Sequence, residues 1–176
     1  MFVSVNWINY FRKWAHKYEK DVEGYGYDPK KLIKPFLNHI GMRKTALDVG
    51  CGTGKSLVII SKFCETLSGI EPVEKMAIQA EQKGFQILRM KAREIGKLKM
   101  KFDFISFFAS IDYVSINQVV NGCKKILEKN GLIFLTIKPQ NEKHILDVFL
   151  ENDFFVVKKK IIHAYRGQEY VCVLIK

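Results

Sequence analysis

Apolar side chains recur at spacings of three and four over residues 7–20. Trp7, Tyr10, Phe11, Trp14 and Tyr18 therefore share one face of a predicted amphipathic helix, while Lys13, Lys17, Glu19 and Lys20 lie elsewhere. Glu23-Gly24-Tyr25-Gly26-Tyr27 breaks that period and reads as a hinge. Asp28-Pro29 then signals a helix start, with Asp as the cap and Pro in the first turn. That helix carries Leu32, Ile33, Phe36 and Ile40, with a kink expected at Pro35.

From there short apolar runs alternate with amphipathic stretches. Strands are predicted near 45–49, 66–71, 85–89, 102–108 and 132–137. Helices are predicted near 54–63, after 71 with Val73, Met76, Ala77 and Ala80 inward, at 113–128, and at 141–151. Asn130-Gly131 is expected to close the 113–128 helix in the left-handed conformation. Two further strands, near 154–163 and 168–175, form an antiparallel hairpin across Tyr165-Arg166-Gly167. Strands separated by crossover helices imply an α/β fold, a mainly parallel sheet covered on both faces. In such sheets ligands bind beyond the carboxyl ends of the strands, where the strand order reverses.

One of those ends carries Ala46-Leu47-Asp48-Val49-Gly50-Cys51-Gly52-Thr53-Gly54-Lys55-Ser56. Gly50, Gly52 and Gly54 alternate between a buried strand and a helix start. Glycine accepts positive φ and lets a ligand press against the backbone, and the helix start suits an anionic group. A phosphate-cradling P-loop would need its first glycine at Val49. A dinucleotide fingerprint would need its third glycine one residue later.

Composition narrows the class. The chain has 176 residues, 48% of them hydrophobic, which suits one domain with a sizeable core. No stretch reaches the roughly 20 apolar residues of a membrane span, and the N-terminus lacks a signal peptide's pattern. The expectation is a cytoplasmic protein without a membrane partner. Cys51, Cys64, Cys123 and Cys172 are scattered, so neither a disulfide framework nor a metal site is read. The net charge of +11 permits nucleic acid or another polyanion as partner without establishing one.

The glycine loop resembles motif I, D-x-G-x-G-x-G, of the class I S-adenosylmethionine-dependent methyltransferases, and the likeness extends over nearly the whole chain. Lys101-Phe102-Asp103-Phe104-Ile105 is similar to the family's fourth strand, and Ile126 to Leu132 to the turn before its fifth. Phe11 to Glu19 resembles the N-terminal helix of the type 11 subfamily. The resemblance implies a Rossmann-like, seven-stranded, mostly parallel sheet of order 3-2-1-4-5-7-6 with its last strand antiparallel. Residues 1–27 would be a helical cap or lid and 28–176 the core of one methyltransferase domain. It implies S-adenosylmethionine as cofactor, held by Tyr18, Asp48, Gly50, Gly52, Gly54, Glu71, Pro72, Ala92, Arg93 and Phe108. Asp48 and the bare backbone would take the amino-acid tail. Glu71, 21 residues past Gly50, would accept the ribose hydroxyls. Backbone at Ala92 and Arg93 would hold the adenine, although Lys91 stands where relatives carry Asp. Tyr18 would cover the cofactor or pack in the core, and Trp7 and Phe11 are read as core. Asp112 stands where a His is common, facing the transferable methyl; it is read either as a substrate-facing residue or as a helix cap.

Absences bear on the acceptor. No [DNS]-P-P-[FYW] and no Pro-Cys follows the fourth strand, as enzymes methylating nucleobases show. The connections after the fifth strand and between the last two are short, leaving the N-terminal helix and the segment of Tyr25 and Tyr27 to build the acceptor site. The acceptor is therefore expected to be a small molecule, or a group presented by a macromolecule. No general base, and hence no catalytic residue, is assigned. Oligomeric state is not read.

Overall fold

The computed structural model describes residues 6–24, 27–163 and 168–176. Seven strands form one sheet in the order β3-β2-β1-β4-β5-β7-β6. They are β1 (Arg43–Val49), β2 (Cys64–Ile70), β3 (Gln86–Leu88), β4 (Phe102–Phe107), β5 (Leu127–Ile137), β6 (Val156–His163) and β7 (Glu169–Ile175). Neighbours pair in parallel from β3 to β5, and β7 is antiparallel to both β5 and β6. The sheet thus has the order and the single reversed strand that the resemblance implied.

Period-two alternation in the central strands feeds two apolar layers. Leu47, Val49, Ile105 and Phe107 face α7 (Ile116–Ile126) and α8 (Glu142–Leu150). Ala46, Phe104 and Phe134 face the other side, against Leu32, Ile33, Phe36 and Ile40. That second layer is supplied by α3 (Pro29–Ile33) and α4 (Leu37–Ile40). Phe104 and Phe134 are fully buried, each worth about 1.5–3 kcal/mol relative to exposure. Asp28 caps α3 by accepting from Lys30 N–H at 2.9 Å, and Pro35 forces a 3₁₀ turn over Lys34–Phe36 rather than a smooth kink.

Two predicted elements come out differently. The single helix over 7–20 is two, α1 (Trp7–Trp14) and α2 (Tyr18–Gly24). Ala15 is buried against Val73 and Met76, and its carbonyl, which would accept from Glu19 in a continuous helix, accepts from Gln79 Nε2 at 3.1 Å. Trp14 Nε1 spans the break to Asp21 Oδ2 at 2.5 Å. Asn130-Gly131 does not cap a helix: α7 passes at Leu127 directly into the extended β5, and Gly131 lies within that strand. The glycine there serves close approach, because a Cβ would lie 2.7 Å from Leu127 Cδ1. Tyr25, in the predicted hinge, and the Tyr165-Arg166-Gly167 turn lie outside the described residues. Two further helices flank the sheet, α5 (Lys55–Ile60) after β1 and α6 (Glu74–Gln82) after β2.

Candidate active site

At the carboxyl ends of β1, β2 and β4 the sheet opens into a cleft of about 210 Å³. The loop after β1 forms its floor. Gly50 and Cys51 both donate their N–H groups to the Ile70 carbonyl, at 2.8 and 3.0 Å, which anchors the turn on β2. Gly50 and Gly52 have φ of +74° and +56°, in the left-handed region that disfavours a side chain. A Cβ on Gly50 would lie 2.6 Å from Ser110 Cβ, so the loop rests on the turn after β4. A Cβ on Gly52 would meet only the Tyr18 ring, at 3.9 Å. The second glycine therefore leaves bare backbone beneath an aromatic ring.

Glu71 follows β2 and lines the cleft. Its Oε2 accepts from Gly52 N–H at 3.0 Å and its Oε1 from Val73 N–H at 2.7 Å. Burial pushes its pKa up to about 7, against the pull of those two amides. A carboxylate has about four acceptor sites, so each oxygen keeps capacity for one more donor. Pro72, Val73 and Met76 continue one wall, and Lys91, Ala92 and Arg93 lie along the cleft as well. Phe108 lines it too, its ring 5.1 Å from that of Phe134.

Asp48 does not reach this cleft. It is fully buried, Oδ1 accepting from Ser106 Oγ at 2.7 Å and Oδ2 from Ser56 Oγ. Burial pushes its pKa up to about 6, against those two hydroxyls. The carboxyl thus ties β1 to β4 and to the first turn of α5, behind the loop. Gly54 is also away from the cleft: with φ of +88° it starts α5 and packs on Ala80. The sequence pattern alone could not separate a carboxylate facing the ligand from one supporting the loop.

The cap closes the cleft from the other side. Ile8, Phe11 and Tyr18 pack on Ala15, Val73 and Met76. Lys83 Nζ bridges Glu19 of α2 and the Thr53 carbonyl of the glycine loop, the latter at 2.8 Å. Lys55 Nζ reaches Glu23 at 2.8 Å. Tyr18 is enclosed between Trp14, 5.0 Å away ring to ring, and the glycine loop; burial raises its pKa. Trp7 and Phe11 are not core, because α1 contributes no buried residue, and both line the cleft.

A second cleft, of about 460 Å³, adjoins the first. Phe11, Tyr18, Ala109 and Tyr113 line both. Tyr27, Tyr170 and Lys138 line the second, which places Tyr27 where the sequence suggested an acceptor site. Ala109 has φ of +50°, a strained conformation for a residue with a Cβ, and its N–H donates to Thr136 Oγ1 at 2.6 Å. Asp112 lines neither cleft and does not cap α7. It accepts from Lys138 N–H at 3.2 Å and from Asn141 Nδ2 at 2.8 Å, pinning the segment after β5. Ala109, Ser110 and Tyr113 lie in the segment 108–114 that the resemblance sets beside the methyl, but the sequence singled out Asp112 there and gave these three no role.

A doubly wound sheet with one reversed strand, and a glycine loop and carboxylate at its switch point, has the form of the class I methyltransferases. Residues 47–135 match Methyltransf_11, described as a methyltransferase domain. The chain belongs to this family and is an S-adenosylmethionine-dependent methyltransferase. A protein of Methanocaldococcus jannaschii is 23% identical over 168 residues, 90% of this chain and 80% of that one. The ubiquinone biosynthesis O-methyltransferase of Rhizobium leguminosarum is 25% identical over 155 residues, 84% of this chain and 59% of that one. A solved S-adenosylmethionine-dependent methyltransferase of Clostridium acetobutylicum has the same fold, with a TM-score of 0.77 and 14% identity over 94% of this chain and 98% of that one. Among the described residues no helix is long and apolar enough to cross a membrane.

Proposed function

We propose that the first cleft holds S-adenosylmethionine and that the second admits a small-molecule acceptor. The carrying observation is that Glu71, the Gly50–Gly52 backbone and the Tyr18 ring converge on one cleft, with a second opening into it at Ala109 and Tyr113. The residues fit the cofactor. Bare main chain at Gly50 and Gly52 accommodates the amino-acid tail, and Glu71 accepts from the ribose hydroxyls. Pro72, Val73 and Met76 with the backbone at Ala92 and Arg93 flank the adenine. Tyr18 covers the tail and Phe108 closes the inner wall. Asp48 and Gly54 hold the loop's shape from behind rather than touching the ligand.

When bound, the cofactor supplies a sulfonium methyl, an electrophile whose sulfur leaves as a neutral thioether. The protein's part is then to position and to exclude water. Alignment of the reacting atoms is worth roughly 7–11 kcal/mol. Phe11, Tyr18 and Tyr113 wall the junction with rings, and Ala109 offers only a methyl there, which leaves room for an acceptor atom. With the cofactor held by Glu71, the Gly50–Gly52 backbone and Tyr18, an acceptor atom seated there would take up the methyl at the expense of its bond to sulfur, and the acceptor's proton would be lost to solvent. The buried phenols of Tyr18 and Tyr27 have raised pKa values and stay neutral, so neither of these two serves as base near neutrality. Residues 28–176 carry both clefts' floors, and the N-terminal helices act as the cap.

Titration calorimetry with S-adenosylhomocysteine tests the reading. Binding in the micromolar range is expected; no heat at millimolar ligand would reject it.

A further inference from the structure

The chemistry of the second cleft goes further than a small acceptor. Half of its lining residues carry aromatic rings, among them Trp14, Tyr18, Tyr27, Tyr113 and Tyr170. Tyr27 and Tyr170 meet edge-on at 6.1 Å, and Trp14 and Tyr18 at 5.0 Å. Such walls favour a flat, apolar body, which gains by offset or edge-to-face packing.

Rings alone would also suit a cation. The placement of the charges favours an anion instead. Among the described residues two charged side chains line this cleft, Lys138 and Glu169. Glu169 is engaged at the rim, its Oε1 3.0 Å from His163 Nδ1. Lys138 has no carboxylate within 4.0 Å among the described residues, and its ammonium lies 4.7 Å over the Tyr113 ring. Its backbone N–H is held by Asp112, so the residue is fixed in place while its amino group remains unpaired by any acid. The phenols of Tyr18, Tyr27 and Tyr170 all have raised pKa values, Tyr170 to about 12, which keeps them neutral hydrogen-bond donors. Among the described residues the cleft thus offers one ammonium unpaired by an acid, one carboxylate held at the rim, several neutral hydroxyls and the faces of the rings.

We propose that the acceptor is a planar aromatic compound bearing a carboxylate, its rings between Trp14, Tyr113 and Tyr170 and its anionic group on Lys138. This rests on the assignment of the first cleft to the cofactor. Lys138 here is a specificity-determining residue. It sets which compounds enter and takes no part in bond making. An amine acceptor would bring a second cation beside Lys138 and is discriminated against by charge.

Titration calorimetry on the full chain saturated with S-adenosylhomocysteine separates the alternatives, with 2-naphthoate, octanoate and 2-naphthylmethylamine as probes. 2-Naphthoate is expected to bind at least about tenfold tighter than either other compound. Lys138→Met, which keeps the stem over Tyr113, is expected to weaken 2-naphthoate about tenfold or more while leaving S-adenosylhomocysteine affinity unchanged. Preference for the amine, equal binding of octanoate, or an unaltered 2-naphthoate affinity in the Lys138→Met protein would overturn the inference while leaving the cofactor assignment intact. Failure to bind S-adenosylhomocysteine would overturn both.

Discussion

Glu71 Oε2 accepts the N–H of Gly52 at 3.0 Å, joining the end of one strand to the middle glycine of the loop after its neighbour. The carboxylate proposed to receive the ribose hydroxyls therefore also shapes the backbone proposed to receive the amino-acid tail. Ligand sites and loop geometry are coupled through one side chain.

Glu71→Gln tests that coupling. The amide can accept from only one of the two N–H groups at Gly52 and Val73, and turns its own N–H₂ toward the other. Affinity for S-adenosylhomocysteine is expected to fall by about 30-fold or more, with an unfolding penalty of about 1–3 kcal/mol. Calorimetry and urea denaturation measure the two effects separately.

The pH dependence of binding has a definite sign. Burial raises Glu71 to about 7 and Asp48 to about 6, above their usual carboxylate values. A raised carboxyl contributes to stability at low pH, and that contribution is lost as pH rises through the folded pKa. The ligand-free chain therefore loses this share of its stability between about pH 4 and pH 7. Ligand binding, which in the proposed site uses the Glu71 acceptor oxygens, runs the other way. The rise in Tm on adding S-adenosylhomocysteine is expected to be larger at pH 8 than at pH 6, and thermal melts at both pH values check it.

Gly50→Ala and Gly52→Ala should differ in kind. Both force alanine into a left-handed conformation, at roughly 1–2 kcal/mol. The Gly50 methyl in addition strikes Ser110, adding about 1–3 kcal/mol of overpacking. Gly52→Ala is expected to lose Tm only by that strain, less than Gly50→Ala, but to lose S-adenosylhomocysteine affinity at least about tenfold, because its methyl enters the space beneath Tyr18. Paired melting and binding curves distinguish the two variants.

Ser106→Ala addresses the role of Asp48. Losing one of two hydroxyl donors to a buried carboxylate is expected to cost about 1.5–3 kcal/mol at pH 8 and less at pH 5, where Asp48 is mostly protonated. Denaturant midpoints at the two pH values measure it. An equal cost at both would show that Asp48 does not change its protonation state between them.

One tether of the cap is the Lys83 bridge between Glu19 and the Thr53 carbonyl. Lys83→Met should change global stability by no more than about 1 kcal/mol, as partly exposed ion pairs do. It is expected to speed proteolysis within α1 and α2 and to hasten S-adenosylhomocysteine release. Limited digestion and stopped-flow dissociation report these outcomes.

Much of this molecule was legible in the linear chain. The alternation of apolar runs with 3.6-residue periods determined an α/β sheet, because strand and helix bury their faces at different repeats. The spacing of Asp48, Gly50, Gly52, Gly54 and Glu71 determined where the glycine loop lies, because strained turns and acids at strand ends are local features. What each of those side chains faces was decided only by the tertiary structure. Asp48 points away from the cleft because Ser106, on the adjacent strand, and Ser56, in the following helix, compete for its oxygens. Glu71 faces the cleft because β1 and β2 pair in parallel and bring Gly52 within hydrogen-bond reach. Trp7 and Phe11 read as core from their period, yet they wall a cleft, since the helix that carries them breaks at Ala15 and rests on the mouth of the sheet. Periodicity records which face of a helix is apolar; only packing across the chain decides whether that face meets a core or a ligand.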